Sequence, residues 1–339
     1  MTFITAGVAG QSDLTTDGNS YGFDWDNDEK VRDFVIPANY DPSSSFNQLT
    51  FTLRGGDGGK RKIPFICTEP GGNGARVEAS FGIGFAEGEL KPGGTIRFIV
   101  GQRGGSVTAA GLSGAGGGGG TAVLYRDPNT SADNGCTESG FNIPSIEWDT
   151  TCWILLAVAG GGGGAYAPGG CAEASSGKPG NAGESGSDGK GGASGNGGTN
   201  GRQGRVFSSN SQGGSGGGYR PEPNRSIGNG NFGGIDGGEA GNPGSTSGLG
   251  IRGGFGYGGG GQGVRTWLIV HGGGGGGFSG GGHGAQYNGG GGGGSYRNPF
   301  SSAGLKQDGN GTDRSPDHGT VSYRFEQNND LLDPPVAIC

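Results

Sequence analysis

Histidine is the scarcest chemistry-bearing residue of this chain, occurring only at 271, 283 and 318. Imidazole is a common metal ligand and a general base near neutral pH. His271 and His283 stand beside glycine runs and need Asp308 or Asp317 to make up a ligand set; solvated or locally hydrogen-bonded rings are the expectation. Asp24, Asp26, Asp28 and Glu29 alternate as hard-cation ligands do, but the stretch lacks the Gly at position six and the Glu at position twelve of an EF-hand loop, so it reads as a solvated acidic turn. The five cysteines, Cys67, Cys136, Cys152, Cys171 and Cys339, include no Cys-x-x-Cys pair, which argues against structural zinc. Cys136 and Cys152 flank a short polar loop; a disulfide closing it, worth ~3 kcal/mol, is one reading and two free thiols the other. Cys339, the last residue, is a dangling thiol or an intermolecular link. Gly-x-Gly-x-x-Gly spacings arise here from composition, and none opens a helix after a strand. Lys60, Lys178 and Lys190 are followed by Arg, Pro and Gly, so no P-loop is present, and no Gly-x-Ser-x-Gly elbow sits at a strand-to-helix turn. No catalytic residue, cofactor or metal is expected. Asn129, Asn224 and Asn310 open glycosylation sequons.

The elements that hold these residues are set by an unusual composition. Glycine supplies 90 of 339 residues, hydrophobic residues only 29% and charged residues 16%, whereas an average domain is about half apolar and a quarter charged. A uniform oily core is therefore excluded. The net charge of −7, with no Lys/Arg-rich stretch longer than Lys60-Arg61-Lys62, argues against the electrostatic footprint of a nucleic-acid binder. No segment approaches the roughly 18 apolar residues of a membrane span, and the N-terminus has neither the basic region nor the apolar core of a secretory signal. Strand patterns recur at 31–36, 48–54, 75–81, 95–100 and 121–126, most with one polar face. The run from Trp153 to Ala159 is continuously apolar, as in a strand buried on both faces. Alternation returns at 318–325, and capped helical periodicity is missing throughout. The expected fold is all-β: a jelly-roll sandwich over 31–159 and 318–326, an N-terminal arm over 1–30, a glycine-rich insertion over 160–317, and a C-terminal tail over 327–339.

Within the insertion, Gly177, Gly180, Gly183, Gly186, Gly189, Gly192, Gly195, Gly198, Gly201 and Gly204 recur at every third position. Period three is the repeat of an extended left-handed helix, and it lines every glycine along one edge that can touch another backbone. Pro179 alone supplies ring stiffness to this stretch, too little for a collagen trimer. Further runs at 116–120, 160–164, 258–261, 272–277 and 289–294 would pack beside it as polyglycine-II helices. Such helices have no internal hydrogen bonds, so their peptide groups must pair with neighbours. A flexible linker is the bland alternative, but Tyr166, Phe207, Tyr219, Phe232, Phe278 and Tyr296 punctuate the region as anchors. Two apolar stretches, 153–159 and 266–271, each lead directly into a glycine run.

The order of these features resembles the glycine-rich extracellular domain of the anaplastic lymphoma kinase and leukocyte tyrosine kinase receptors. It is carried by Gln48-Leu-Thr-Phe-Thr-Leu-Arg-Gly-Gly-Asp-Gly-Gly59, Thr95-Ile-Arg-Phe-Ile-Val-Gly-Gln-Arg-Gly-Gly105, the run 116–120 with Thr-Ala-Val-Leu-Tyr125, Leu156-Ala-Val-Ala-Gly-Gly-Gly-Gly-Gly-Ala-Tyr166, the tract from Gly253 to Tyr296, and Gly319-Thr-Val-Ser-Tyr323. The resemblance implies a TNF-like sandwich bearing polyglycine-II helices. Kinase, EGF-like and membrane parts have no counterpart, so signalling does not carry over. The expected function is non-enzymatic: a structural and recognition protein, extracellular or on a virion surface, such as a capsid-associated protein, spike or fibre adhesin. Its partner would be a protein or glycan surface, with self-association into a larger particle, and with neither nucleic acid nor membrane insertion. A secreted receptor-like binding module is the alternative, and a collagen-like trimer the third reading.

Overall fold

The structure is a computed structural model that describes residues 2–3, 12–13, 19–24, 31–41, 46–64, 67–108, 114–129, 153–166, 177–190, 194, 196–205, 214–220, 253–254, 256, 258, 271–285, 288–302, 304–309 and 318–327. The described residues contain no helix and form these strands: β1 Thr2–Phe3, β2 Ser12–Asp13, β3 Ser20–Asp24, β4 Val31–Val35, β5 Gln48–Arg54, β6 Arg61–Ile63, β7 Cys67–Glu69, β8 Arg76–Gly82, β9 Thr95–Ile99, β10 Val107–Thr108, β11 Thr121–Arg126, β12 Ile154–Ala159, β13 Tyr296–Arg297, β14 Lys306–Gln307 and β15 Thr320–Glu326. One sheet runs β1-β3-β15-β5-β8-β14, a second β13-β12-β11-β9-β4-β2, and a small third β10-β6-β7. The two large sheets pack face to face as an all-β sandwich.

Period-two alternation explains the first sheet. Leu49, Phe51 and Leu53 of β5 face inward, with Phe81, Ala79 and Val77 of β8 opposite them on one side and Phe325, Tyr323 and Val321 of β15 on the other. All nine are buried. Facing them from the second sheet are Ile96, Phe98, Val123, Tyr125, Ile154 and Leu156. Phe98 sits among aromatic rings, with Phe51 at 6.0 Å edge-on and Tyr323 at 6.1 Å stacked. The polar faces of β5 and β8 also close locally, since the Thr50 and Ser80 hydroxyls lie 2.8 Å apart.

The second sheet is buried on both sides, which accounts for the unbroken apolar character of β12. Its outer face gathers Ile99, Ala122, Leu124, Leu155 and Val158 under Trp153, Tyr219 and Phe278. Tyr219 and Phe278 come from the glycine-rich region, so that region covers a sheet face. The sandwich begins earlier than the pattern at Val31 suggests, because β3 pairs along its whole length with β15. Two short strands of the insertion, β13 and β14, pair with β12 and β8.

Five glycine-rich segments run straight on from, or into, sandwich strands. Residues 55–59 follow β5, 72–75 precede β8, 101–105 follow β9, 114–120 precede β11 and 160–166 follow β12. They gather with 177–190, 271–285 and 288–295 into one body.

Candidate functional site

Segment 160–165 lies in the middle of that body, and its peptide groups set the geometry. As donors, Gly161 and Gly164 reach Gly276 and Gly273, Gly162 and Ala165 reach Gly56 and Gly59, and Gly163 reaches Lys178. As acceptors, Gly160 and Gly163 serve Ala75 and Gly72, Gly161 and Gly164 serve Gly293 and Gly290, and Gly162 and Ala165 serve Gly118 and Ala115. Residues three apart therefore address the same neighbour, and six segments surround this one. The bonds span 2.7–3.1 Å, the ordinary range for N–H···O pairs. A β-strand alternates with period two and pairs with a neighbour on each side, so this is a different arrangement. Segment 272–277 behaves alike: Gly272 and Gly275 donate to Asn288 and Gly291, Gly273 and Gly276 to Ala115 and Gly118, and Gly274 and Gly277 to Gly214 and Gly217.

Backbones approach this closely only without side chains. A Cβ placed on Gly162 would fall inside the Gly72 carbonyl. Within the every-third-residue series, Gly177, Gly180, Gly186, Gly189, Gly198 and Gly204 each press against a backbone carbonyl, those of Gly163, Gly160, Gly280, His283, Arg202 and Gly281 in turn. Gly183 differs, because a Cβ there would meet only the Asn181 side chain at 3.4 Å. Gly201 serves a turn: its φ is +81° and follows Asn200 at +54°, a region that glycine enters without steric penalty. Gly192 and Gly195 lie outside the described residues.

A few polar side chains pin the glycine body to the sandwich. The Asp57 carboxylate accepts from the Arg54 guanidinium at 2.7 Å and from the Gly74 N–H at 2.9 Å. Arg54 also donates to the His318 carbonyl at 3.2 Å, and the Arg103 N–H donates to His318 Nδ1 at 3.2 Å. The Thr121 hydroxyl donates to the Arg54 carbonyl at 2.6 Å while accepting from the Gly101 N–H at 3.0 Å. The Ser295 hydroxyl accepts the Gly160 N–H at 3.0 Å. Asp57 carries no sequence-level signal beyond being a lone carboxylate in a glycine run.

Elsewhere the Arg97 guanidinium grips both oxygens of Asp33 at 2.7 and 2.8 Å. Arg97 and Arg126 also lie over the Trp153 ring, at 4.3 and 4.8 Å from its centroid. Lys91 pairs with the buried Asp127 at 2.7 Å. Burial pushes the Tyr125 phenol up; the Lys91 N–H that it accepts opposes this, and the Asp127 charge adds to it. Tyr296 is pushed up to about 12, first by burial and then by the Glu184 charge.

His271 and His283 are brought together by a reversal of the glycine chain. Residues 272–277 run out, bend at 277–279 and return, with Gly281 and Gly284 donating to Gly275 and Gly272. The two rings end 5.5 Å apart, edge to face, and both are buried. His283 Nδ1 lies 2.7 Å from the Gly284 carbonyl. Neither ring nitrogen of His271 makes a well-aligned hydrogen bond among the described residues, although the Ala285 and Gly284 backbone lies near enough to favour its charged form. Burial drives both rings below the usual histidine range, His283 to about 4. Backbone at Gly284 and Ala285 partly offsets this for His271, and Gly284 does so for His283. No cluster of three or more His, Cys, Asp or Glu side chains able to hold a metal occurs among the described residues.

Of the remaining sequence candidates, Asn129 is exposed in a turn, where its N–H donates to Asp127 Oδ1 at 2.9 Å. Cys136, Cys152, Asn224 and Asn310 lie outside the described residues, as does the acidic stretch after Asp24. No helix among the described residues is long and apolar enough to cross a membrane. No protein-family model matches the chain, and no curated protein matches it.

Proposed function

We propose that this chain is a non-enzymatic structural and recognition protein displayed on an outer surface, in the first instance that of a virion, and that its glycine body is a bundle of polyglycine-II helices on a TNF-like sandwich. The observation that carries this reading is the three-residue register of segment 160–165, with six neighbouring segments around it. A bundle held by peptide groups needs no oily core and offers few loose loops, which suits an exposed platform. Several buried polar side chains, among them Asp57, Thr121 and Ser295, hold chain segments together, which favours scaffolding over catalysis. The partner is a protein or glycan surface, joined by self-association into a larger particle.

Immuno-electron microscopy of intact particles, with antibody raised against the purified chain, tests display. Label on the outer face is expected; protein confined to the soluble secreted fraction overturns it. Light scattering tests assembly, since the secreted-module alternative requires a monomer at every concentration. Amide exchange tests the bundle: strong protection is expected across 160–165 and 272–277, and random-coil rates there defeat the polyglycine-II assignment.

A further inference from the structure

Beyond display and recognition, the glycine body contains peptide linkages that are reactive by type. In an Asn-Gly pair the glycine nitrogen can reach the asparagine Cγ with no side chain of its own in the way. Four such pairs fall among the described residues: Asn73-Gly74, Asn196-Gly197, Asn200-Gly201 and Asn288-Gly289. We propose that Asn196 is a latent self-modification site, held unreactive in the folded protein by the Asp188 carboxylate and the Arg205 N–H. Cutting the first of these holds lets it convert to aspartate and isoaspartate.

Both polar ends of the Asn196-Gly197 peptide are engaged. The Gly197 N–H donates to Asp188 Oδ1 at 2.7 Å, and the Asn196 carbonyl accepts the Arg205 N–H at 2.7 Å. The residue that follows is fixed as well, since Gly198 donates to Gly280 at 2.7 Å and accepts from Gly186 at 2.9 Å. Gly197 itself lies against the Gly186 carbonyl, which a Cβ would overlap. Asn196 and Asp188 are both exposed, so solvent reaches the side-chain amide. Asn73-Gly74 is built alike in a half-buried position: its N–H donates to Asp57 at 2.9 Å and its carbonyl accepts from Gly180 at 2.8 Å.

In the reaction the Gly197 nitrogen gives up its proton to solvent base and attacks Asn196 Cγ. The new N–Cγ bond closes a succinimide ring, the Cγ–Nδ2 bond breaks, and ammonia leaves with a proton from water. Water then opens the ring at either carbonyl, giving aspartate or isoaspartate. The holds oppose the first step in two ways. A carboxylate is far too weak a base to remove an amide proton, and its charge disfavours the anionic nitrogen that attacks. Ring closure also requires the peptide plane to turn, which breaks both hydrogen bonds.

The test is peptide mapping by mass spectrometry of the full chain aged in warm, mildly alkaline buffer, with isoaspartate resolved by chromatography. In the native protein Asn196 and Asn73 should convert at least about tenfold more slowly than in the same chain held unfolded in urea. Asp188→Ala should speed conversion at Asn196 by roughly tenfold and leave Asn73, held by Asp57, unchanged. Asp188→Asn keeps an oxygen able to accept, and should fall between the Ala variant and the unaltered protein. Equal rates at Asn196 in native protein and in urea overturn the proposal; that comparison needs no variant. A folded Asp188→Ala protein in which Asn196 converts no faster also overturns it. So does a parallel rise at Asn73 in that folded variant, since the protection would then belong to the glycine body as a whole.

Discussion

At Gly162 the consequence of adding one methyl group is decided by a carbonyl that the backbone cannot withdraw. The Gly72 carbonyl occupies the position a Cβ would take, and it is held there by the N–H of Gly58. Gly162→Ala should therefore destabilise the protein by ~2 kcal/mol or more, the range of overpacked cores, seen as a lower urea midpoint. Gly183 belongs to the regular glycine series, yet a Cβ there meets only a side chain at van der Waals distance, so Gly183→Ala should change the stability by less than about 0.5 kcal/mol and leave the urea midpoint nearly unmoved. Asp57 is the polar counterpart. Asp57→Ala leaves the Gly74 N–H and the Arg54 guanidinium without their carboxylate, and a loss of about 3 kcal/mol is expected in the same assay. Neither distinction is visible in the sequence. Gly183 continues an unbroken series, and the second partner of Asp57 lies 17 residues away, so its role depends on where two glycine segments cross.

Among the elements, period three makes a prediction that no β-strand would share. In segment 289–294, Gly290 and Gly293 face Gly164 and Gly161, while Gly291 and Gly294 face Gly282 and Ser279. Inserting one glycine after Gly291 rotates the residues beyond it onto the wrong neighbours. Inserting three restores every face and shifts the run by one three-residue repeat. Thermal melts should rank the three-residue insertion as the mildest of one, two and three; a two-residue insertion milder than three would mean strand-like alternation instead. The strands themselves were largely readable from the chain, because β5, β8 and β15 alternate cleanly and β12 is apolar throughout. β3 was not, since Gly22 dilutes its pattern and its pairing with β15 spans nearly the whole chain. The glycine runs announced close backbone contact, but their partners were hidden, since one glycine is chemically the same as the next and only the assembled body distinguishes them.

Across the whole molecule, sandwich and bundle share covalent struts. β5, β9 and β12 lead out into glycine segments and β8 and β11 are entered from them, while Tyr219 and Phe278 return from the glycine-rich region to cover the second sheet. Neither part can then lose its order near the junction without uncovering the other. Stripping Phe278 away would expose the Leu155 and Val158 face, and unwinding 160–165 would release the six segments bonded to it. At neutral pH the two should therefore melt as one cooperative unit. Fluorescence of a variant that keeps Trp153 and replaces Trp25, Trp148 and Trp267 by Phe reports on the sheet, where Arg97 and Arg126 lie over the Trp153 ring, and amide exchange reports on the glycine runs. Coincident midpoints by the two probes are expected, and Phe278→Ala should lower both together, by the 3–5 kcal/mol typical of a buried phenylalanine at most. A glycine transition well below the fluorescence transition would show that the bundle is only tethered to the sandwich, and a merely tethered bundle could not serve as a stiff platform.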